Sequence, residues 1–599
     1  MKNKKERSAV WVFFKTYSSF IKHQPWDYIG MVVLSLFTAI VSPFKVELER
    51  RIYDVAAAFS SAGSGDANSV YSLFVVVILV QLFYAVIFPL YRSNVNYVGS
   101  SFETFLQRKM NFKTAKIRLK EYENARLYEN IELATSASRE LRFMTMMFSS
   151  ELMIYAFQFI LVSSVLFSYH PSLVVMGCLA ILPEISSRYL QSKNRYQHMN
   201  QVQRFEKRKK YFQQILTQKD YAKEIRANST DEWFLNKWDE NRQTVNREKW
   251  KMIRKNNRLE ALNQAIDLIT VFLSYGLVIL LLLKGEITVG MLGASLGAVI
   301  TLKSNFSRIF GLLLLSAECS MKGKYFYKVM DYEEREGRDC DISPQGGLRI
   351  NDAAFSYIEG KPALHDISLH IQPGEKIAVV GMNGAGKSTL VKLMLGLFEP
   401  EEGSVYYGEQ NIQGISERSL YRRISAVFQD FCKYNLTLAE NIQIADSHEN
   451  GRMEDIFNGL RDMKVKLKGK PVTPEVLKEQ MGSDFGGMEL SGGNWQKIAI
   501  LRGLYKEHDL MIFDEPTAAL DPLIEEEILT SVLKQNPDSI KLFVTHRLNT
   551  TRLADRIIVV DQGEIAEMGT HDELMDREDS IYRKLWSAQA KWYEVDNLT

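Results

Sequence analysis

Six apolar stretches, each about as long as a bilayer is thick, constrain this chain before anything else does. A helix needs roughly 20 largely apolar residues to cross the hydrocarbon core. Such stretches fall at residues 27–47, 71–91, 146–168, 171–191, 262–283 and 287–312. The second (SLFVVVILVQLFYAVIFPLY) and the fifth (LITVFLSYGLVILLLL) are the most continuous. The first runs into Pro43 and FKVELERR, Pro183 and Glu184 interrupt the fourth, and the sixth is glycine-rich and carries Lys303 and Arg308. Buried helices of a large soluble protein are the alternative, and the length and low charge of the second and fifth runs argue against it. Residues 1–25 are basic and aromatic and lack the apolar core and small-residue cleavage site of a signal peptide.

The segments between these runs set an orientation. Residues 92–145 and 192–261 are long and basic, with FEKRKK at 205–210 and REKWKMIRKNNR at 247–258. The links YHPS and KGEIT are very short, and VAAAFSSAGSGDANS after the first run has no lysine or arginine. The positive-inside tendency then places both long segments and both termini in the cytoplasm. Tall helices continuing the spans would carry membrane motion to whatever lies below. Ionisable groups inside spans are costly and mark function by default. Lys45, Glu47, Glu151, Glu184, Lys303 and Arg308 are such groups, and Glu151, Glu184 and Lys303 are the candidates for lining a substrate cavity. Lys45 and Glu47 also fit the outer interface, and Arg308 the inner one. The charge is nearly balanced, 74 basic against 72 acidic residues, so it gives no argument for nucleic acid. Four scattered cysteines show neither metal spacing nor a disulfide framework.

The second half carries phosphate chemistry. GMNGAGKST, residues 381–389, follows the apolar strand EKIAVV and opens a helix, TLVKLML. That is a P-loop in its required setting. Within an ATP-binding set of Gly381, Met382, Asn383, Gly384, Ala385, Gly386, Lys387, Ser388 and Thr389, the backbone amides of Asn383 to Lys387 would cradle the phosphates. Lys387 would reach the β- and γ-phosphates, and the Ser388 hydroxyl would bind Mg²⁺. LMIFDEP ends a second buried strand in two carboxylates: Asp514 for the Mg²⁺ and Glu515 as the base that polarises water. Gln429, Asp521 and His546 fall where strands should end near the phosphates, although each type is commonly a capping or loop residue. Tyr357 in AAFSY can stack on adenine, or be core. A second phosphate-shaped loop, GMELSGGNWQKIAI at 487–500, places Ser491, Gly492 and Gly493 at a helix start.

In combination these motifs resemble an ABC exporter half-transporter: FSY as A-loop, GMNGAGKST as Walker A, VFQD as Q-loop, LSGGNWQK as signature, IFDEP as Walker B, AALD as D-loop and VTHR as the switch histidine. The expected fold class is a membrane α-helical domain of six spans with long cytoplasmic extensions, fused to an α/β P-loop ATPase. The expected division is a cytoplasmic segment 1–25, a transmembrane domain 26–320, a linker 321–340 and a nucleotide-binding domain 341–599. In this family two nucleotide domains pair head to tail. The resemblance therefore implies that Ser491, Gly492 and Gly493 grip the γ-phosphate held by the partner's Lys387 loop. It also implies Gln429 on the Mg²⁺ and attacking water, His546 on the γ-phosphate, and Asp521 of the D-loop among the ATP-binding residues. One motif of each kind per chain implies a homodimer; a heterodimer with a close relative fits the same motifs. Short cytoplasmic helices are expected near 119–130 and 211–222.

Among ABC exporters the chain resembles the lantibiotic type. FQDFCKYNLTLAENI, LSGGNWQKIAI, EYENARLYENIELA and AKEIRAN carry that likeness. SDFGGMEL has Phe485 where many exporters have a glutamate, Asn494 replaces the common glutamine and Lys497 the common arginine. The resemblance implies ATP-driven export of a ribosomal, modified peptide across a bacterial cytoplasmic membrane, with ATP and Mg²⁺ as cofactors and modification enzymes as partners. Residues 1–25 are too few for a leader-cleaving protease domain, so another protein is expected to cut any leader. Export or flipping of lipids or lipophilic drugs is the alternative on the same fold. A third is an ATP-gated regulator or channel that moves no substrate.

Overall fold

The computed structural model describes residues 7–62, 67–179, 181–335, 337–358, 360–446, 453–467, 470–515, 522–545 and 548–595. Two compact units result: Met1–Ala115 with Tyr128–Tyr332, and Lys116–Leu127 with Glu333–Thr599.

The first unit is helical. It holds α1 (Ala9–His23), α2 (Pro25–Ala62) and α3 (Ala67–Thr114), and the short α4 (Leu119–Tyr122) follows in the second unit. Next come α5 (Ala125–Met147), α6 (Met153–Tyr169), α7 (Pro171–Leu179), α8 (Leu182–Thr217), α9 (Lys219–Asn228), α10 (Asp231–Leu283) and α11 (Val289–Met330). Among the described residues, six helical stretches are long and apolar enough to cross a membrane. None of the most apolar window of α3 is buried against protein. Phe74, Leu79, Leu82 and Val86 on α3, and Leu268, Phe272 and Leu273 on α10, all face outward. A soluble protein would cover such a surface; a bilayer does so here. At 1.5 Å per residue, the 48 residues of α3 span roughly 70 Å and the 53 of α10 roughly 80 Å, well beyond a hydrocarbon core of about 30 Å.

Helix breaks follow local chemistry. Ser8 caps α1, accepting from the Trp11 amide at 3.1 Å. His170 precedes Pro171 and is extended, which ends α6, and Pro171 opens α7. The fourth span divides between α7 and α8, where Pro183, lacking an amide proton, lies in the first turn of α8. A five-residue π-helical turn, Phe148–Leu152, interrupts the third span and carries Glu151.

The second unit contains β1 (Leu348–Ile358), β2 (Lys361–Ile371), β3 (Lys376–Val380), β4 (Glu402–Tyr407), β5 (Gln410–Asn411) and β6 (Ile424–Val427). It continues with β7 (Lys466–Leu467), β8 (Lys470–Pro471), β9 (Leu510–Asp514), β10 (Ile540–Val544), β11 (Arg556–Asp561) and β12 (Glu564–Gly569). An antiparallel sheet runs β2-β1-β4-β5, and a larger sheet runs β12-β11-β3-β10-β9-β6, parallel except for β12. Strand β3 shows why the larger sheet is central. Ile377 and Val379 pack with Phe355, Leu364 and Val405 of the smaller sheet, while Ala378 and Val380 pack on the other face with Phe513, Phe543 and Ile528. Both faces are buried, so KIAVV is apolar throughout rather than alternating. A separate cluster of Leu438, Ile442, Ile456, Leu460, Trp495 and Ile498 forms a helical subdomain.

Candidate functional site

The candidate phosphate-loop residues, Asp514, Glu515 and Gln429 stand at or follow the carboxyl ends of parallel strands, where open α/β sheets bind ligands. Val544 pairs with both Val379 and Asp514, so β3, β10 and β9 end level with one another. Val427 of β6 pairs with Phe513, which brings the chain to Gln429 two residues later, exposed at the same edge.

After β3 the chain turns through the P-loop into helix α12 (Lys387–Met394). Gly381 is required by close approach: a Cβ there would lie 2.2 Å from the Val560 carbonyl oxygen. Gly386, at φ +110°, occupies the N-cap of α12, and a Cβ would meet Leu364 at 2.8 Å. Met382, Asn383, Gly384 and Ser388 are exposed on the loop's outer side, whereas Ala385 is buried. Lys387 is only 5% exposed and donates to the carbonyls of Gly381 and Met382, both at 3.0 Å. Burial holds its pKa below the ordinary lysine value, opposed by the charges of Glu515 and Asp514. Burial, then the neighbouring Glu515, pushes the Asp514 carboxyl above its ordinary range, while Lys387 pulls it back. Glu515 adopts φ +49°, and its amide donates to the Val544 carbonyl at 3.2 Å, a bent path that turns its side chain away from the strand's alternation. Ser388, Gln429 and Asp514 supply only oxygen donors, the set that suits a hard divalent cation such as Mg²⁺.

Tyr357 is 38% exposed and its hydroxyl is 3.1 Å from that of Thr389. Lys392, on α12, places its ammonium 5.6 Å from the Tyr357 ring centre and 4.9 Å from that of Phe398. Sequence reasoning passed over Lys392. Its signal was the spacing of three from Thr389, which puts both on one face of α12.

Ser491 caps the helix Gly492–Tyr505, accepting from the Asn494 amide at 3.4 Å, and Ser491 and Gly492 are exposed. The Asn494 side chain donates to the Lys466 carbonyl at 2.6 Å and Lys497 to the Lys464 carbonyl at 3.1 Å. This helix is anchored through Trp495 and Ile498 in the helical subdomain, whereas the P-loop is anchored through Ala385 in the core between the two sheets. His546 and Asp521 lie outside the described residues.

Five of the six membrane charges have a described partner. Lys303 and Asp267 stand 2.6 Å apart across α11 and α10. Glu184 accepts from Arg188 at 3.0 Å and from the Ser307 hydroxyl. Arg308 donates to the Tyr155 hydroxyl at 2.8 Å, Glu47 accepts from Arg50 at 2.9 Å, and Lys45 lies 3.9 Å from Glu49. Glu151 is exposed on the π-helical turn. Asp267, unremarked in the sequence, is the partner that Lys303 lacked.

Known families match both halves of the chain. The description "ABC transporter transmembrane region" fits residues 28–303, and "ABC transporter" fits residues 364–518. The chain belongs to the ABC exporters. It is a half-transporter, a multi-pass membrane protein that binds ATP and hydrolyses it to drive transport. This exporter is 29% identical to the subtilin transport ATP-binding protein SpaT of Bacillus subtilis, over 83% of this chain and 84% of that protein. It is 28% identical to the nisin transport ATP-binding protein NisT of Lactococcus lactis subsp. lactis, over 94% of this chain and 93% of that protein. An ATP-dependent lipid A-core flippase of Saccharophagus degradans is 35% identical over 44% of each chain. The solved structure of a bacterial Atm1-family ABC exporter with ATP bound shares the exporter's fold, with TM-score 0.77 over 95% of this chain and 98% of that one, at 20% identity.

Proposed function

We propose that this exporter works as a homodimer that moves a ribosomally made, modified peptide out across the cytoplasmic membrane, with its ATPase and both termini on the cytoplasmic side. The observation that carries the substrate class is the reach of the likeness: the subtilin and nisin transport proteins match over 83% and 94% of this chain, membrane half included. The flippase match reaches 44%.

In the proposed mechanism Tyr357 stacks on adenine. The loop from Gly381 to Thr389 wraps the phosphates, with Lys387 released from its carbonyls to the β- and γ-phosphates. Ser388, Asp514 and Gln429 would hold Mg²⁺, which neutralises phosphate charge. Ser491, Gly492 and Gly493 of the second copy close over the γ-phosphate, presenting an exposed helix N-terminus to an anion. That pairing explains why one chain carries two phosphate-shaped loops: they serve two different ATP molecules. Glu515, turned out of the strand by its left-handed backbone, polarises the attacking water, and His546 contacts the γ-phosphate. Asp521, after the Walker-B turn, completes the ATP-binding set. Closure of the two ATPase domains turns the membrane cavity outward, and hydrolysis reopens them. Glu151, Glu184 and Lys303 are offered as cavity-lining groups.

Peptide mass spectrometry of culture medium and cells tests the substrate, comparing hosts carrying the wild-type chain or Glu515→Gln. A peptide lost from the mutant medium and retained in its cells is the expected result. An unchanged peptide profile with altered lipids or drug tolerance would favour lipid or drug export, the reading that the flippase likeness supports. Purified Glu515→Gln should still bind ATP while hydrolysing little; normal turnover would remove Glu515 from its role.

A further inference from the structure

The first cytoplasmic segment, residues 116–127, packs as part of the ATPase unit. One of its side chains reaches the rings packed on Tyr357 and another reaches the lysine that lies over them. Glu123 pairs with Lys392 at 3.2 Å, and Lys392 in turn lies over the rings of Tyr357 and Phe398. Lys120 lies 5.0 Å from the Phe355 ring centre and pairs with Glu401 at 2.8 Å. Phe355 stacks on Phe398 at 4.7 Å and meets Tyr357 edge-on at 5.2 Å. Tyr357 is therefore held at its hydroxyl by Thr389 of the phosphate loop, and at its ring by Lys392 and Phe355, each touching the cytoplasmic segment.

We propose that Lys392 is a positioning residue that ties the pose of Tyr357 to the first cytoplasmic segment, so that ATP affinity depends on Glu123. The proposal rests on the reading of Tyr357 as the adenine platform. The physical reason is that one ammonium serves three partners. If Glu123 shifts, Lys392 must leave either the carboxylate or the rings, and the ring it leaves loses a cation–π contact. An exposed ion pair adds little to fold stability, so stability alone gives Lys392 no reason to be shared in this way. By linkage, a base stacked on Tyr357 must bias the segment as strongly as the segment biases base binding. The C-terminal end of the segment continues into α5, whose residues from Tyr128 onward belong to the membrane unit, and a turn at residues 115–116 joins its other end to α3.

The test is steady-state ATPase kinetics of the purified full chain in proteoliposomes. The variants are Lys392→Met, Lys392→Arg, Glu123→Gln and the Glu123→Gln/Lys392→Met double, each made with Tyr357 intact and with Tyr357→Ala. With Tyr357 intact, Lys392→Met and Glu123→Gln should each raise KM for ATP about two- to fivefold while kcat stays within about twofold. The double variant should match the larger single, and Lys392→Arg should restore KM. In the Tyr357→Ala background, where KM is already raised, both effects should vanish. Effects that add, or that persist without Tyr357, would show Lys392 acting directly on phosphate charge and overturn the proposal. If Tyr357→Ala raises KM and Lys392→Met does not, the proposal fails and the adenine platform stands. If Tyr357→Ala leaves KM unchanged, platform and proposal fall together. Should Lys392→Met not fold, Glu123→Gln, on the exposed side of the pair, carries the same test.

Discussion

Replacing Asp267 with asparagine removes the counter-charge of Lys303 while keeping the side chain's shape. The two groups join α10 to α11, with 17% of the Lys303 side chain and 22% of the Asp267 side chain exposed. They are 2.6 Å apart, yet Asp267 Oδ1 is not aligned with a hydrogen-bond donor, so the attraction is mainly ionic. Asn263 adds a long contact to the other carboxylate oxygen at 3.4 Å. Breaking a fully buried pair costs about 3–5 kcal/mol, because a charge is stranded. Breaking an exposed one costs about 0–1 kcal/mol. With about four-fifths of each side chain covered, Asp267→Asn should cost roughly 2–3 kcal/mol. Lys303→Met should cost a similar amount by stranding Asp267. The double variant strands no charge, so it should recover most of the loss. Unfolding of the detergent-solubilised protein in graded denaturant, followed by tryptophan fluorescence, measures all four corners of this cycle. Two losses that simply add would refute the reasoning, since the two groups would then be independent. If the double variant regains stability but fails to export, Lys303 has a task in the cavity beyond holding two helices together.

Two further outcomes follow from the ATPase unit. Gly381→Ala should fold yet bind ATP at least about tenfold more weakly, because a Cβ 2.2 Å from the Val560 carbonyl oxygen forces the phosphate loop to move; unchanged affinity in a nucleotide titration would contradict this. Asp509, 5% exposed, accepts from Arg423 Nε and Nη2, both at 2.9 Å, and from the Ser343 hydroxyl. Burial alone would raise its pKa, but these donors prevail and hold it below the ordinary range. Its stabilising effect is therefore full above the unfolded carboxylate pKa of about 4 and lost as pH falls through the lower folded value. The stability gap between wild type and Asp509→Asn, measured from pH 7 down to pH 3, should shrink below about pH 4, and a gap independent of pH would be the contrary result.

The parts legible in the sequence are those whose signal is local. Spans two and five need only a count of apolar residues, and the break in span four needs only Pro183. The P-loop is readable because its glycines answer to backbone geometry, as the approach of Gly381 to Val560 shows. Helix α1 was also within reach: Val12, Thr16 and Phe20 repeat every four residues, and all three are buried. Features made by distant residues were not legible. Asp267 and Lys303 are 36 positions apart, and no spacing rule pairs them. The place of Lys392 over Tyr357 depends on how α12 packs under β1. The π-helical turn FSSEL has no proline or glycine to mark it. The left-handed backbone of Glu515 gave no warning either, since glutamate is not a residue that prefers it.

The least expected feature is which unit owns residues 116–127. They fall between two membrane-spanning helices in sequence, yet Ile117 bridges Glu334, and Arg118 pairs with Glu333 and Glu399 within the ATPase unit. The chain therefore passes between the units three times, after Ala115, after Leu127 and after Tyr332. The second passage lies inside a continuous helix, α5, which runs from Ala125 to Met147 with no break at Leu127. A helix interior transmits displacement, whereas a glycine- or serine-rich linker absorbs it. Leu127, fully buried, fixes the start of that helix in the ATPase unit. The ATPase unit and the membrane part of α5 are thus joined by helix interior rather than by a loop. The proposed mechanism needs such a connection if closure of the ATPase domains is to reach the membrane. Inserting two glycines after Leu127 should leave ATP binding intact and separate hydrolysis from export; export surviving at its normal ratio to hydrolysis would show that the coupling runs elsewhere.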